Sequence, residues 1–110
     1  QLVTGVTIVR NDFLENNEEV VKTFLEESKT SVEFTNSHQD EAAELIVQQG
    51  IVEKAAIAKQ AIPYCNITYI DGEAMKTALG GYLSVLHKQD AQSVGGQLPG
   101  DDFYYISSEK

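Results

Sequence analysis

Few residues of this chain have the types and spacing that chemistry requires. His38 and His87 lie 49 positions apart, so neither has a partner at the spacing of a metal site such as His-x-x-x-His. Cys65 is the only cysteine, which excludes an internal disulfide and a thiolate cluster, and no histidine stands beside it to activate it. We predict solvated histidines, a small buried cysteine, no catalytic residue, no metal and no cofactor.

Two short patterns look like ion sites but lack the residues that complete one. Asp71-Gly-Glu73 has neither the alternating oxygen ligands nor the distal glutamate of a calcium loop, so it predicts a helix cap. Gly95-Gly96 and Pro99-Gly100 are followed by Asp101 and Asp102 rather than by a helix. Because two aspartates repel an anion, this segment predicts a turn and not a phosphate cradle.

Two further patterns in the C-terminal half could mark a functional site: a glycosylation sequon and a group of aromatic residues. Asn66-Ile-Thr68 is a glycosylation sequon, which matters only in a eukaryotic secretory route. Tyr82 and the Phe103–Tyr105 run contain the aromatic rings that a cationic or aromatic ligand uses. Tyr82 lies on an apolar helix stripe, so we predict a core role for it, and we predict that the aromatic run packs the C-terminus onto the helices. The ligand-binding residues stay unknown.

The charge of the chain is strongly negative. Seventeen acidic and eight basic residues give a net charge of −9. Eleven of the acids lie between Asp12 and Glu53, together with only two lysines, Lys22 and Lys29. Such a segment repels phosphate backbones and anionic lipid, so we predict no nucleic-acid binding. No apolar run approaches the roughly 20 residues of a membrane-spanning helix, so we also predict no direct membrane insertion.

Local patterns predict four substantial helices after a short helical turn at Asn11. The first begins after Asn17 and buries one stripe, formed by Val20, Val21, Phe24, Leu25 and Val32. The second follows an apparent capping box, Ser37 to Asp40, and ends at Gly50. The third covers 52–62 and ends at Pro63. The fourth follows Asp71, carries Met75, Ala78, Leu79, Tyr82, Leu83 and Leu86, and tolerates Gly80-Gly81 if another backbone packs there.

The first nine residues predict a β-strand that lacks neighbours. Leu2, Val6 and Ile8 are apolar on one side of an extended chain, and Val3 and Val9 on the other. A strand that is apolar on both faces belongs inside a covered sheet. The other extended candidates, 66–70 and 103–106, are too short or too polar to flank it. Either copies of the chain exchange strands, or the chain is a piece of a longer protein; the initial Gln1, in place of Met, is compatible with the second.

A resemblance favours the second possibility. The run TIVRNDFLENNEEVVKTFLEESKTSVEFTNSHQDEAAELIV looks like the return segment of type II periplasmic solute-binding proteins of ABC importers. It is similar in particular to the branch that binds nitrate, sulfonates, taurine and thiamine precursors. AIPYCNITYIDGEAMKTALGGYLSVL and SVGGQLPGDDFYYI resemble the C-terminal end of such binders, so the match follows nearly the whole chain in order. Glu18 stands where this family often has a proline.

The resemblance implies an α/β fold: a helix-rich fragment of a type II periplasmic-binding-protein fold, with one sheet strand near the N-terminus followed by about four helices. Residues 1–110 would form a single partial domain, the C-terminal part of the first lobe. The parent would be an extracytoplasmic protein, periplasmic or lipid-anchored, that captures a small solute and delivers it to an ABC permease. It would not be an enzyme.

Two alternatives stay open. In the first, the chain is a stand-alone helical protein-interaction module. For the importer fragment and for this module alike, we predict a homodimer formed through the first strand. The thiamine-pyrimidine synthases use the same binder fold as enzymes, but they require a reactive histidine and a cysteine-rich iron site. The single cysteine of this chain argues against that activity.

Overall fold

The computed structural model of the chain describes residues 2–107, and this part is all-α. Its α-helices are α1 (Asn11–Asn16), α2 (Glu18–Ser37), α3 (Gln39–Gln48), α4 (Ala55–Ala61) and α5 (Gly72–Gln89). Short 3₁₀ helices follow at Ile62–Tyr64, Ala91–Val94 and Asp101–Phe103. The chain divides into two compact units: unit 1 comprises Gln1–Asp12 and Ile70–Lys110, and unit 2 comprises Phe13–Tyr69.

The predicted strand near the N-terminus, and with it the α/β fold, is wrong. Residues 2–10 are irregular, and no residue from 2 to 107 belongs to a β-strand or bridge, including 66–70 and 103–106. Leu2 is 71% exposed and Ile8 is 85% exposed. The apolar pattern describes which side chains favour burial, but a strand exists only where a second strand takes its backbone hydrogen bonds. The described part of the chain provides no such partner for this segment.

The core of unit 2 is built mainly from small side chains. Ala42 and Ala43 of α3 pack with Ala58 of α4 and with Ile62, and all four are buried. Alanine allows two helices to approach closely, because it has no side chain beyond Cβ. Partly buried hydrophobic residues pack around this cluster: Phe34, Ile46 and Ile67. The Asn36 side-chain amide donates to the Ile67 carbonyl oxygen at 2.9 Å, which ties the end of α2 to the segment after the 3₁₀ helix.

Helix α2 forms as predicted but buries less than its apolar stripe suggests. It begins after Asn17, the predicted N-terminal residue, although no side-chain bond caps it there. Of the five stripe residues only Val21 is buried, while Val20 and Phe24 are more than half exposed. The prediction of one buried stripe is therefore wrong for Val20 and Phe24. Nothing in the spacing distinguishes them from Val21, because burial needs a neighbouring element on that side.

The boundary between α2 and α3 differs from the predicted capping box. Ser37 is the last residue of α2, and His38, which provides no side-chain cap, precedes α3. The Ser37 hydroxyl donates backwards to the Glu33 carbonyl oxygen at 2.8 Å, instead of capping the amides of α3. The box was wrong because a serine near a helix end has this alternative acceptor one turn earlier. The third predicted helix, 52–62, is also shorter, since α4 covers only Ala55–Ala61.

Gly50 ends α3 as predicted. Its N–H donates to the Val47 carbonyl oxygen at 2.9 Å, and the Ile51 N–H donates to the Ile46 carbonyl oxygen at 3.1 Å. These two bonds form a Schellman motif, which requires a left-handed residue at the position of Gly50, where φ is +76°.

Replacing Gly50 with alanine is expected to destabilise unit 2 by about 1 kcal/mol, because a Cβ disfavours the left-handed conformation. Gly81 is the control: it lies inside α5, and a Cβ there meets no atom within 4 Å. Gly81→Ala should stabilise the chain by about 0.5–1 kcal/mol through helix propensity. Thermal unfolding followed by circular dichroism measures both variants. A Gly50→Ala protein as stable as the wild type would contradict the assigned motif.

In unit 1, α5 begins after Asp71, the predicted N-terminal position, although no side-chain hydrogen bond caps it there. The six stripe residues of α5 are all half-buried. Among residues 2–107, no backbone of another element lies within 4 Å of a Cβ built on Gly80 or Gly81. Instead the Tyr104 hydroxyl lies 3.7 Å from the place of a Cβ on Gly80, so the C-terminal aromatic run does contact this helix. Phe103 packs edge-on against Tyr104, with ring centroids 5.3 Å apart.

An ion pair also joins α5 to the last 3₁₀ helix of unit 1. Lys76 Nζ lies 3.1 Å from Asp101 Oδ1, and this hydrogen bond raises the pKa of Lys76 above its usual 10.5. The pair stabilises the fold below pH 10.5, and its contribution is lost as the pH rises through the higher pKa of the folded state. Since Asp101 is exposed, solvent screens the pair and its contribution is small.

Candidate functional site

The structure distributes the residues that sequence inspection singled out over separate elements. His38 lies between α2 and α3, and His87 lies half-buried in the last turn of α5. Cys65 is exposed directly after the 3₁₀ helix Ile62–Tyr64, so the prediction that it is buried is wrong. Within residues 2–107, no group of three or more His, Cys, Asp or Glu side chains is arranged to hold a metal ion.

The remaining motifs are local structure. Gly95 ends the 3₁₀ helix Ala91–Val94 in the left-handed conformation, so this segment is the predicted turn. Asn66 and Thr68 of the sequon are both exposed, and Asn66 has a positive φ of 54°. Tyr82, predicted to be a core residue, is half-buried. None of the helices in residues 2–107 is both long and apolar enough to span a membrane.

The junction of α2 and α3 contains a serine–histidine contact that sequence inspection missed. Ser37 Oγ lies 2.8 Å from His38 Nδ1, and the His38 ring stacks on Phe34 with centroids 4.8 Å apart and an interplanar angle of 8°. The adjacent residues form an open depression, lined by Asn36, Ser37, His38, Gln39, Asp40 and Glu41. The sequence signal for this contact is a Ser-His pair at a helix end, with an aromatic residue, Phe34, four positions before the histidine.

The geometry of this contact does not activate the serine. The Ser37 hydroxyl has one proton, which it donates to the Glu33 carbonyl oxygen at 2.8 Å. A carbonyl oxygen can only accept a hydrogen bond, so the donor in this contact must be the serine. Both contacts are hydrogen bonds only in the tautomer in which His38 Nδ1–H donates to Ser37 Oγ, and in that tautomer Nδ1 is not a base toward the hydroxyl. Asp40 and Glu41 in the first turn of α3 also oppose a developing oxyanion. The Ser37–His38 contact is a structural feature of the helix junction.

The most distinctive surface of unit 2 is a face of α2 whose residues follow the spacing i, i+4, i+7, i+11 and i+14. We call it the α2 face; its members are Val20, Phe24, Glu27, Ser31 and Phe34. Val20 is 55% exposed and Phe24 is 51% exposed. Phe34 is half-buried and forms, with Glu26, Glu27, Thr30 and Ser31, a shallow depression whose surface is mostly apolar.

The electrostatic surroundings of the α2 face are acidic. Helix α2 carries five glutamates and two lysines. Lys22 Nζ lies 3.5 Å from Glu19 Oε2. Lys22 itself lies one turn before Glu26 on the same side of the helix. In residues 2–107, no basic side chain forms an ion pair with Glu26 or Glu27, the two carboxylates beside the depression. The α2 face therefore combines two exposed apolar side chains, Val20 and Phe24, with neighbouring charges of one sign, and the polar Glu27 and Ser31 lie between them and Phe34.

Comparison of the chain with protein-family models, with characterised proteins and with solved structures finds no match.

Proposed function

We propose that this chain is the C-terminal part of the solute-binding component of an ABC importer. In the parent protein it would help to capture a small solute, such as a sulfonate, nitrate or a thiamine precursor, outside the cytoplasmic membrane and to deliver it to the permease. The chain contributes helices to that protein, without covalent chemistry and without a cofactor. The ordered succession of the three resembling segments supports the family assignment.

The proposal that the chain is a fragment is supported by the exposure of many large apolar side chains in both units. Only five hydrophobic residues are buried among those the structure describes: Val21, Ala42, Ala43, Ala58 and Ile62. Outside α2, the large hydrophobic residues that are more than half exposed include Leu2, Val6, Ile8, Ile51, Ile57, Tyr64, Val85 and Phe103. A chain with so few buried hydrophobic residues has little core of its own, so further polypeptide is expected to cover part of these exposed side chains.

The test is to express the whole reading frame that contains this chain, beside the 110-residue chain alone. Isothermal titration with taurine, nitrate and a thiamine-precursor pyrimidine should show one solute bound per molecule of the whole product and none bound by the 110-residue chain. A whole product that binds none of these solutes would refute the proposal. Tight one-to-one binding by the 110-residue chain would refute it as well.

A stand-alone interaction module is the second candidate, and the N-terminal segment favours it. Leu2, Val6 and Ile8 are exposed on residues that make no strand within the described part of the chain. If the chain acts alone, it should sediment as a dimer held by this segment, and Ile8→Asp should yield monomers. A wild-type chain that remains monomeric at high concentration would exclude this candidate.

A further inference from the structure

We propose that the α2 face is a docking site for a basic amphipathic helix of a partner protein. This inference does not depend on the importer proposal, because it follows from the exposure and charge of α2 itself. The partner helix would carry an apolar stripe at helical spacing, flanked by lysine or arginine side chains.

The apolar contacts come from three residues of one helix face. Val20 and Phe24 lie one turn apart and are each more than half exposed. Phe34, half-buried because it also packs against the core of unit 2, lines the depression ten residues after Phe24. The five members of the α2 face recur every 3.5 residues on average, which is the repeat of helix-to-helix packing in coiled coils. From Val20 to Phe34 the face is about 21 Å long, which matches about four turns of a partner helix.

The charge of the surroundings selects a basic partner. Glu26 and Glu27 border the depression without a basic partner among the described residues, and Glu27 belongs to the face itself. The segment from Asp12 to Glu53 has eleven acidic and two lysine side chains. Lysines or arginines flanking the partner's apolar stripe would neutralise these carboxylates and direct the encounter.

The same charges disfavour the other occupants of an apolar helix face. A second copy of this chain would bring the same glutamates against Glu26 and Glu27, and like charges oppose docking. An anionic lipid surface is repelled for the same reason. A neutral apolar segment would leave the carboxylates desolvated beside it without compensation.

The test uses a synthetic probe, a fluorescent peptide of about 18 residues with leucine at heptad positions a and d and lysine at the other positions. Its control is the same peptide with glutamate in place of lysine. Fluorescence anisotropy of the lysine peptide with the 110-residue chain should show saturable one-to-one binding that weakens as ionic strength rises. The glutamate peptide should not bind.

Matched variants locate the binding surface. Val20→Ala with Phe24→Ala should weaken binding of the lysine peptide about tenfold or more, because exposed apolar anchors are removed. Glu26→Gln with Glu27→Gln should weaken it about fivefold and reduce its dependence on salt. Glu44→Gln with Glu53→Gln removes the same net charge elsewhere on exposed residues of unit 2 and should change the affinity less than about twofold. All replaced side chains are exposed, so the circular dichroism of each variant should match the wild type.

Three results would overturn the proposal. In the first, the lysine peptide does not bind, or the glutamate peptide binds equally well. In the second, the Glu44 and Glu53 pair matters as much as the Glu26 and Glu27 pair, so that net charge alone explains the binding. In the third, the wild-type chain is a dimer that Val20→Ala with Phe24→Ala dissociates, which would assign the face to a second copy.

Discussion

Replacing Ile62 with alanine is expected to lower the free energy of unfolding of unit 2 by about 2–4 kcal/mol. Ile62 is 4% exposed and is the largest side chain of the buried cluster, where it packs with Ala42, Ala43 and Ala58. The change removes the buried methyl and methylene groups of the side chain and leaves a cavity that three alanines are too small to fill. Because small domains are only marginally stable, this loss is a large fraction of the total.

Urea unfolding followed by circular dichroism measures the effect, and the same helical segment provides a matched control. Ile57 lies in α4, five residues before Ile62, and is 53% exposed. Ile57→Ala makes the same chemical change outside the core, so we expect it to alter the free energy of unfolding by less than about 0.5 kcal/mol. Equal losses for the two variants would contradict the assignment of Ile62 to the core.

Replacing Ala43 with leucine is the second change with a large expected effect. Ala43 is 0% exposed, and it belongs to the alanine cluster that lets α3 and α4 approach closely. Three additional carbon atoms have no space there, so the helices must separate or the side chain must leave its preferred rotamer. We expect a loss of about 1–3 kcal/mol, although leucine is as good a helix former as most residues and is more hydrophobic than alanine.

The control for Ala43→Leu is Ala56→Leu, which places the same side chain on an exposed position of α4. We expect a change of less than about 0.5 kcal/mol there, because nothing is displaced. Thermal unfolding of both variants decides the point. A stable Ala43→Leu protein would mean that α3 and α4 are not packed through their alanines, and it would remove the argument for a small-residue core.

The predicted helices were those encoded by local signals. Asn17 and Asp71 precede α2 and α5, and Gly50 ends α3 with a positive φ, because these positions depend on the chain within one turn of themselves. The capping box at Ser37 failed, although it is also a local pattern. Its hydroxyl has two acceptors within reach, and the choice of the Glu33 carbonyl oxygen depends on where α2 stops.

Which face of each helix is buried was predicted less well than where the helices lie in the sequence. Val20, Val21 and Phe24 belong to one apolar stripe in the sequence, but only Val21 is buried. The Ser37–His38 contact was not predicted, because adjacency in sequence does not determine side-chain orientation. The α2 face was also missed, since its members Val20 and Phe24 were interpreted as core, and only their exposure in the folded chain supports the proposed docking surface.

The sequence by itself determined where α2 and α5 begin, where α3 ends, how acidic the segment from Asp12 to Glu53 is, and that histidine and cysteine are too few for a metal cluster. Only the tertiary structure decided that residues 2–9 form no strand, that the alanines of α3 and α4 form the buried centre of unit 2, and that Val20 and Phe24 remain in contact with water. Helix ends depend on hydrogen bonds within one turn of the chain. Burial and strand pairing depend on a second element that residues distant in sequence must provide.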